Sequence, residues 1–175
     1  MADAIFDSPI GPLYALATAE GLRRLEFVRG GRLLSANEGV SFDDSDPEGR
    51  AIVEDAQRQL AEYFEGDRRE FNLPLVIEGS DFQVRVWQAI ARIPYGEVLS
   101  YADVAAAAGS PGAFRAAGSA CGSNKLAIVI PCHRVIAANR NIGGYGGSLS
   151  TKRTLLALEG SLAGLRDAQT ALAFA

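Results

Sequence analysis

The stretch Ile128-Val129-Ile130-Pro131-Cys132-His133-Arg134-Val135-Ile136 limits this chain more than any other. Its β-branched residues read as a short buried strand. Pro131 ends that run, and a cysteine and the chain's single histidine follow at once. Cysteine is nucleophilic only as thiolate, and histidine is the side chain best suited to take its proton near neutral pH. Neighbours on a strand point to opposite faces, so Cys132 and His133 meet only through a turn, a helix start or a bridging water. A helix opening at Cys132 would also depress the thiol pKa with its positive end. By itself a neighbouring Cys and His is as often incidental as catalytic, and the rest of the chain decides.

Charge is distributed unevenly. The 175 residues carry a net charge of −4, which at first argues against a nucleic-acid partner. Residues 1–103 hold 10 Lys and Arg against 19 Asp and Glu, whereas residues 104–158 hold six cations (Arg115, Lys125, Arg134, Arg140, Lys152, Arg153) and no acid. Such a segment around a reactive cysteine offers an electropositive field to a polyanion and is expected to depress the Cys132 pKa. The plainer alternative is a neutral packed segment rich in Ala and Gly. No apolar run approaches the ~18 residues of a membrane span, and Met1-Ala2-Asp3-Ala4 shows no secretory signature. A cytoplasmic, reducing location is expected, which suits a free thiol. Cys121 and Cys132 make no disulfide framework, and with one histidine they cannot fill a zinc site unaided. Neither metal nor other cofactor is expected.

Taken in order, Phe6 to Leu16 reads as strand, turn, strand, and Gly21 turns the chain into a third strand at Leu22–Val28. Residues 29–50 read as loop. Ala51–Phe64 is patterned as an amphipathic helix stopped by Gly66. Phe71, Leu73, Leu75 and Ile77 alternate as a further strand. Residues 1–78 therefore read as a small acidic α/β unit with antiparallel strands and a scaffold role.

Residues 79–175 read as mostly helical. Ser80 caps a helix bearing Phe82, Val86, Trp87 and Ile90 on one side, and Pro94-Tyr95-Gly96 ends it. Ser100 caps Tyr101–Ala108, which Gly109 stops. Ser110 is expected to cap a second helix, with Pro111 in its first turn, running to about Cys121. The pair has the outline of a helix-turn-helix, and the whole chain reads as α+β. The second helix carries one long cation, Arg115, among small residues, so it suits either close approach to DNA or close helix packing.

Ile130-Pro131-Cys132-His133-Arg134-Val135 resembles the active-site signature of the O6-alkylguanine-DNA alkyltransferases, or methylated-DNA–protein-cysteine methyltransferases. The resemblance extends in order through Asp81-Phe82-Gln83 with Val86-Trp87, Ile93-Pro94-Tyr95-Gly96-Glu97-Val98 with Ser100-Tyr101, and Arg115-Ala116. It continues with Asn124, Gly144-Tyr145-Gly146-Gly147, Leu155-Leu156 and Leu158-Glu159. It covers residues 80–160 strongly, and the first unit more loosely through Ser8-Pro9-Ile10-Gly11 and Tyr63-Phe64-Glu65-Gly66.

The resemblance implies repair of O6-alkylguanine, and also of O4-alkylthymine, in double-stranded DNA by a flipped-nucleotide, single-use transfer to Cys132. It implies His133 as base acting through a water, Glu159 as its orienter, and Asn124 as a brace for the cysteine turn. Arg115 would fill the gap left by the flipped nucleotide. Tyr101 would crowd the 3′ phosphate and donate a proton to guanine N3. Ala116, Gly118, Lys125 and Arg134 are expected to help contact DNA. Tyr145, Gly146, Gly147 and Ser148 would wall the pocket, with the Val135 carbonyl reading the guanine amine. A monomer in solution, with cooperative binding along DNA as an option, is expected.

Three features depart from the family pattern or lie outside it. Lys125 follows Asn124 where proline is frequent, and Ser148 stands where a third glycine is common. Cys121 is expected to be a small packing residue, with alkylation or oxidation as the alternative if it is exposed. Two readings from other classes stand beside the resemblance. One is a Cys-His hydrolase of small acyl substrates, which would turn over. The other is a helix-turn-helix binding protein with an inert cysteine, which would tolerate Cys132→Ala.

Overall fold

The computed structural model describes residues 1–33 and 44–166. Part of the expected 29–50 loop lies outside them. The described chain divides into two compact units, Met1–Glu78 with Lys125–Val129, and Gly79–Asn124 with the chain from Ile130 on. Among the described residues no helix is long and apolar enough to cross a membrane.

The first unit is an antiparallel sheet of β1 (Ala2–Phe6), β2 (Leu13–Thr18), β3 (Gly21–Arg29) and β4 (Arg32–Leu33), in that order, with α1 (Pro47–Glu65) packed on it. Leu13, Ala15, Leu22, Leu25, Ala56, Leu60 and Tyr63 are among its most deeply buried apolar residues. Helix α1 begins a turn earlier than its apolar spacing indicates. Asp46 caps it by accepting from Gly49 N (2.9 Å), and Pro47 suits a first turn whose amide has no helical partner.

The register of β2 on β3 skips Arg23, which resets the direction of the following backbone groups. Leu22 and Leu25 can therefore both bond away from β2. Leu22 pairs with residues 74–76, through Pro74 O (2.8 Å) and Val76 N (2.9 Å). Leu25 N donates to Lys125 O (2.7 Å), and Leu25 O accepts from Ala127 N (2.9 Å). The strand expected at Phe71–Ile77 is thus a single bridge at Leu75, because Pro74 has no N–H to extend a ladder. The strand expected at Ile128–Ile130 is also absent. Ile128 turns there with φ 69°, a left-handed conformation that β-branched residues seldom adopt.

The second unit holds α2 (Asp81–Ala91), α3 (Tyr101–Ala107), α4 (Phe114–Gly122) and α5 (Leu149–Leu158), with a parallel pair β5 (Leu99–Ser100) and β6 (Val135–Ile136). Ser80 and Gln83 form a reciprocal cap on α2, and Ser100 and Asp103 form one on α3. Helix α4 starts later than expected and lacks a side-chain cap at Ala113. Gly112 takes a left-handed conformation (φ 86°), so residues 110–113 form a turn closed by Ala113 N and Ser110 O (3.1 Å). Trp87 Nε1 donates to Ala120 O (2.8 Å) and Gln83 Nε2 to Ser123 Oγ (3.0 Å), fixing the C-terminal end of α4 against α2.

Candidate active site

Cys132 opens a single 3-10 turn, Cys132–Arg134, that leads into β6. The pairing of β5 with β6 aligns Leu99 with Val135 and Ser100 with Ile136. Because β5 runs straight into α3, this sets Tyr101 beside the turn. Asn124, just past α4, donates from Nδ2 to Ile130 O (2.9 Å) and to Cys132 Sγ (3.1 Å). One amide thus holds both the loop before the cysteine and the sulfur itself.

The two residues after the cysteine turn inward to one carboxylate. His133 is fully buried, and its Nε2 lies 2.8 Å from Glu159 Oε1. An ionised carboxylate only accepts, so Nε2 carries the hydrogen and Nδ1 keeps its lone pair in the neutral ring. Nδ1 is buried and has no hydrogen-bond partner among the described residues. Burial holds the His133 pKa below its ordinary value despite Glu159. Burial would raise the Glu159 carboxyl, but hydrogen bonds from His133 and Arg134 outweigh it and pull the pKa down to about 2.

Arg134 was expected on the DNA surface, and it is not there. It is 6% exposed, with Nε and Nη2 each 2.9 Å from Glu159 and Nη1 2.6 Å from Ile93 O. A buried carboxylate needs a compensating cation, and Arg134 supplies it. Tyr95, whose hydroxyl donates to Leu158 O (3.1 Å), lies beneath the guanidinium. The Ile93–Gly96 segment therefore supports the end of α5 from which Glu159 projects.

Lys152 is the second inward cation of the acid-free segment. It is fully buried, and Nζ donates to Val135 O (2.6 Å) and Gly144 O (3.1 Å), clamping β6 to the loop before α5. Burial lowers its pKa to about 8. With Arg134 and Lys152 inside, Arg115, Lys125, Arg140 and Arg153 are the exposed cations of this segment.

The Cys132 thiol is not depressed as expected. Its side chain shares a hydrogen bond with Cys121, and this contact, then burial, pushes its pKa well above the ordinary value. Asn124 and Lys152 act in the opposite direction. A three-residue turn also lacks the aligned amides of a longer helix.

Tyr101 is half-buried, and burial, followed by the negative charge either cysteine carries as thiolate, raises its pKa to about 12, so it stays a donor. Its ring lies between two glycines. A Cβ on Gly118 would come 3.9 Å from one ring edge, and one on Gly143 (φ 73°) 3.6 Å from the other. Gly118, expected to contact DNA, thus packs on Tyr101. On α4 the exposed side chains are Phe114, Arg115, Ala116 and Ser119, with the Arg115 guanidinium 5.8 Å from the Phe114 ring. Tyr145 presents its ring edgewise to His133 at 6.5 Å, and burial raises its pKa. In the same loop Gly146 is exposed and Gly147 buried. Ser148, expected in the pocket wall, caps α5 by accepting from Thr151 N (3.1 Å). Among the described residues no group of three His, Cys, Asp or Glu is placed to hold a metal ion.

Two family models match. One, described as "6-O-methylguanine DNA methyltransferase, DNA binding domain", covers residues 81–161. The other, "6-O-methylguanine DNA methyltransferase, ribonuclease-like domain", covers residues 1–77. A methylated-DNA–protein-cysteine methyltransferase of Methanosarcina acetivorans is 42% identical over 158 residues, which are 90% of this chain and 97% of that protein. The chain belongs to the methylated-DNA–protein-cysteine methyltransferases.

A Mycobacterium bovis member of the family is 45% identical over 90% of this chain and 91% of its own. The crystal structure of Mycobacterium tuberculosis OGT in complex with DNA superposes with a TM-score of 0.78 at 40% identity, covering 93% of this chain and 95% of that one. Against the family resemblance, sequence reasoning missed the buried role of Lys152, the exposed Phe114 beside Arg115, and the contact of Cys121 with Cys132. For Lys152 a signal existed. Lys152, Leu155, Leu156 and Glu159 recur at helical spacing on one face, so a cation stands within a buried stripe.

Proposed function

We propose that this protein repairs double-stranded DNA by taking the alkyl group of O6-alkylguanine onto Cys132, once per molecule. The observation that carries the proposal is the convergence on one turn of a held sulfur, a neutral buried imidazole and an ionised carboxylate. His133 Nδ1 is free to accept the Cys132 proton through a water, while Glu159 stabilises the imidazolium that results. Asn124 Nδ2 and the Lys152 charge favour the thiolate as it forms. The thiolate attacks the alkyl carbon, the S–C bond forms as the C–O6 bond breaks, and guanine leaves with its electron pair. Tyr101, kept protonated, supplies a proton to the departing base.

The target atom lies within the duplex, so the nucleotide must be turned out at a cost of a few kcal/mol. Arg115, exposed on α4 among small residues, is the side chain suited to fill the gap. The loop from Gly143 to Ser148 bounds the pocket beside Tyr145. Val135 O gives one lone pair to Lys152, which leaves the second for the guanine amine. A pocket that reads these groups also fits O4-alkylthymine. The thioether product is stable, and nothing in this arrangement regenerates the thiol.

Mixing the protein with duplex DNA carrying O6-methylguanine tests this. Restored guanine should rise to one equivalent per protein and then stop. Continued turnover, or no loss of the lesion, would contradict it.

A further inference from the structure

Cys121 lies on the last turn of α4, and its side chain shares a hydrogen bond with Cys132. Asn124 spans the two cysteines, its backbone N–H donating to Cys121 O (3.2 Å) and its Nδ2 to Cys132 Sγ (3.1 Å). Both sides are anchored. Trp87 and Gln83 hold the end of α4, and the Arg134–Glu159 pair holds the turn that begins with Cys132. Cys121 and Cys132 are therefore neighbours across Asn124, each on an anchored stretch of backbone.

We propose that Cys121 and Cys132 close into a reversible intramolecular disulfide on reaction with hydrogen peroxide, withdrawing the alkyl acceptor until a dithiol reductant reopens it. Cys121 is the half-buried member and Cys132 the buried one, so peroxide meets Cys121 first. Its thiol is also held below the ordinary pKa by the hydrogen bond from Cys132, which raises the reactive thiolate fraction.

In the first step the Cys121 thiolate attacks one peroxide oxygen. The S–O bond forms, the O–O bond breaks, and hydroxide leaves to take up a proton as water. In the second, the Cys132 sulfur attacks the sulfenic sulfur of Cys121. The S–S bond forms, the S–O bond breaks, and the hydroxyl leaves as water with the Cys132 proton. Two thiols are oxidised, and one peroxide is reduced to two waters. With further peroxide an isolated sulfenic acid is open to oxidation to the irreversible sulfinic state, whereas a neighbouring thiol captures it as a disulfide. For a protein that spends its cysteine once, the difference is whether an oxidant consumes the molecule.

The consequence for repair rests on Cys132 as the acceptor; the cross-link does not. Full-length protein is exposed to hydrogen peroxide, quenched, and mapped by mass spectrometry without reduction. The expected product is lighter by two hydrogens, with the peptides of Cys121 and Cys132 joined in one chain. Methyl transfer from O6-methylguanine duplex should fall by about tenfold or more and recover with dithiothreitol, as a captured thiol does. In Cys121→Ser, transfer lost relative to that variant's own untreated level should not recover. Oxygen added at either cysteine without a cross-link, or a link between two molecules, would overturn the proposal. So would full recovery of oxidised Cys121→Ser. If that variant fails to fold, the wild-type peptide map decides. If reduced wild type transfers no methyl yet cross-links, the repair reading fails and the disulfide stands.

Discussion

Arg134 and Glu159 form a buried two-pronged ion pair, with Nε 2.9 Å from Oε2 and Nη2 2.9 Å from Oε1. The same Oε1 takes the hydrogen bond of His133 Nε2 at 2.8 Å. One carboxylate thus sets the geometry of both residues after the nucleophile, so structure and chemistry fail together when it is lost. Glu159→Gln leaves a buried guanidinium without its counter-charge, a change worth about 3–5 kcal/mol. Thermal unfolding should show a large fall in Tm, and methyl transfer at a temperature where the variant is still folded should also slow.

The pH dependence follows from the same group and its partner. Glu159 is held at about 2, below the carboxylate value of 4.5. Its stabilisation is therefore complete above about 4.5 and is lost as pH falls toward 2. His133 is depressed below 6.5 by burial, so the folded state binds fewer protons there than the unfolded chain. Stability and base function are both retained as pH drops to 6.5 and decline only below it. Single-turnover rates between pH 5 and 8 check this, and a loss of rate beginning above 6.5 would show an imidazolium already favoured by Glu159.

Lys152→Met keeps much of the side chain's bulk but removes the donor shared by Val135 O and Gly144 O. It leaves both carbonyls without that donor and frees the pocket loop from β6. Transfer from both methylated duplex and free O6-benzylguanine should slow together, because pocket geometry serves both. Stopped-time assays with the two substrates measure it.

Arg115→Ala should separate those substrates. Arg115 is exposed on α4, remote in role from the sulfur chemistry. Its loss should slow repair of duplex lesions by about tenfold or more, the scale of one to two kcal/mol of lost support for the turned-out nucleotide. Reaction with free O6-benzylguanine should be little changed. Equal losses on both would remove the case for a gap-filling arginine.

The parts legible in the sequence were those set by local rules. The caps at Ser80 and Ser100 placed α2 and α3, and Gly66 placed the end of α1. Cys132 and His133 stood out through residue chemistry, and Glu159 and Asn124 through the ordered resemblance. What escaped depends on partners distant in the chain. Arg134 reads as a surface cation until Glu159 and Ile93 O are beside it, and Lys152 does so until Val135 O and Gly144 O are. Ile128–Ile130 has strand composition, but the preceding residues 125–127 pair with Leu25, and a left-handed Ile128 turns the chain out of line. The Cys132 pKa runs against the positive charge of its segment because the second thiol and burial, neither visible in a charge count, outweigh it.

The central claim is that one sulfur, Cys132, receives the alkyl group. Peptide mass spectrometry after mixing the reduced protein with duplex DNA bearing a single O6-methylguanine tests it most directly. The predicted result is one methyl on the Cys132 peptide, saturating at one per protein, with Cys121 unmodified. Methyl on Cys121, or loss of the lesion with neither cysteine modified, would contradict it.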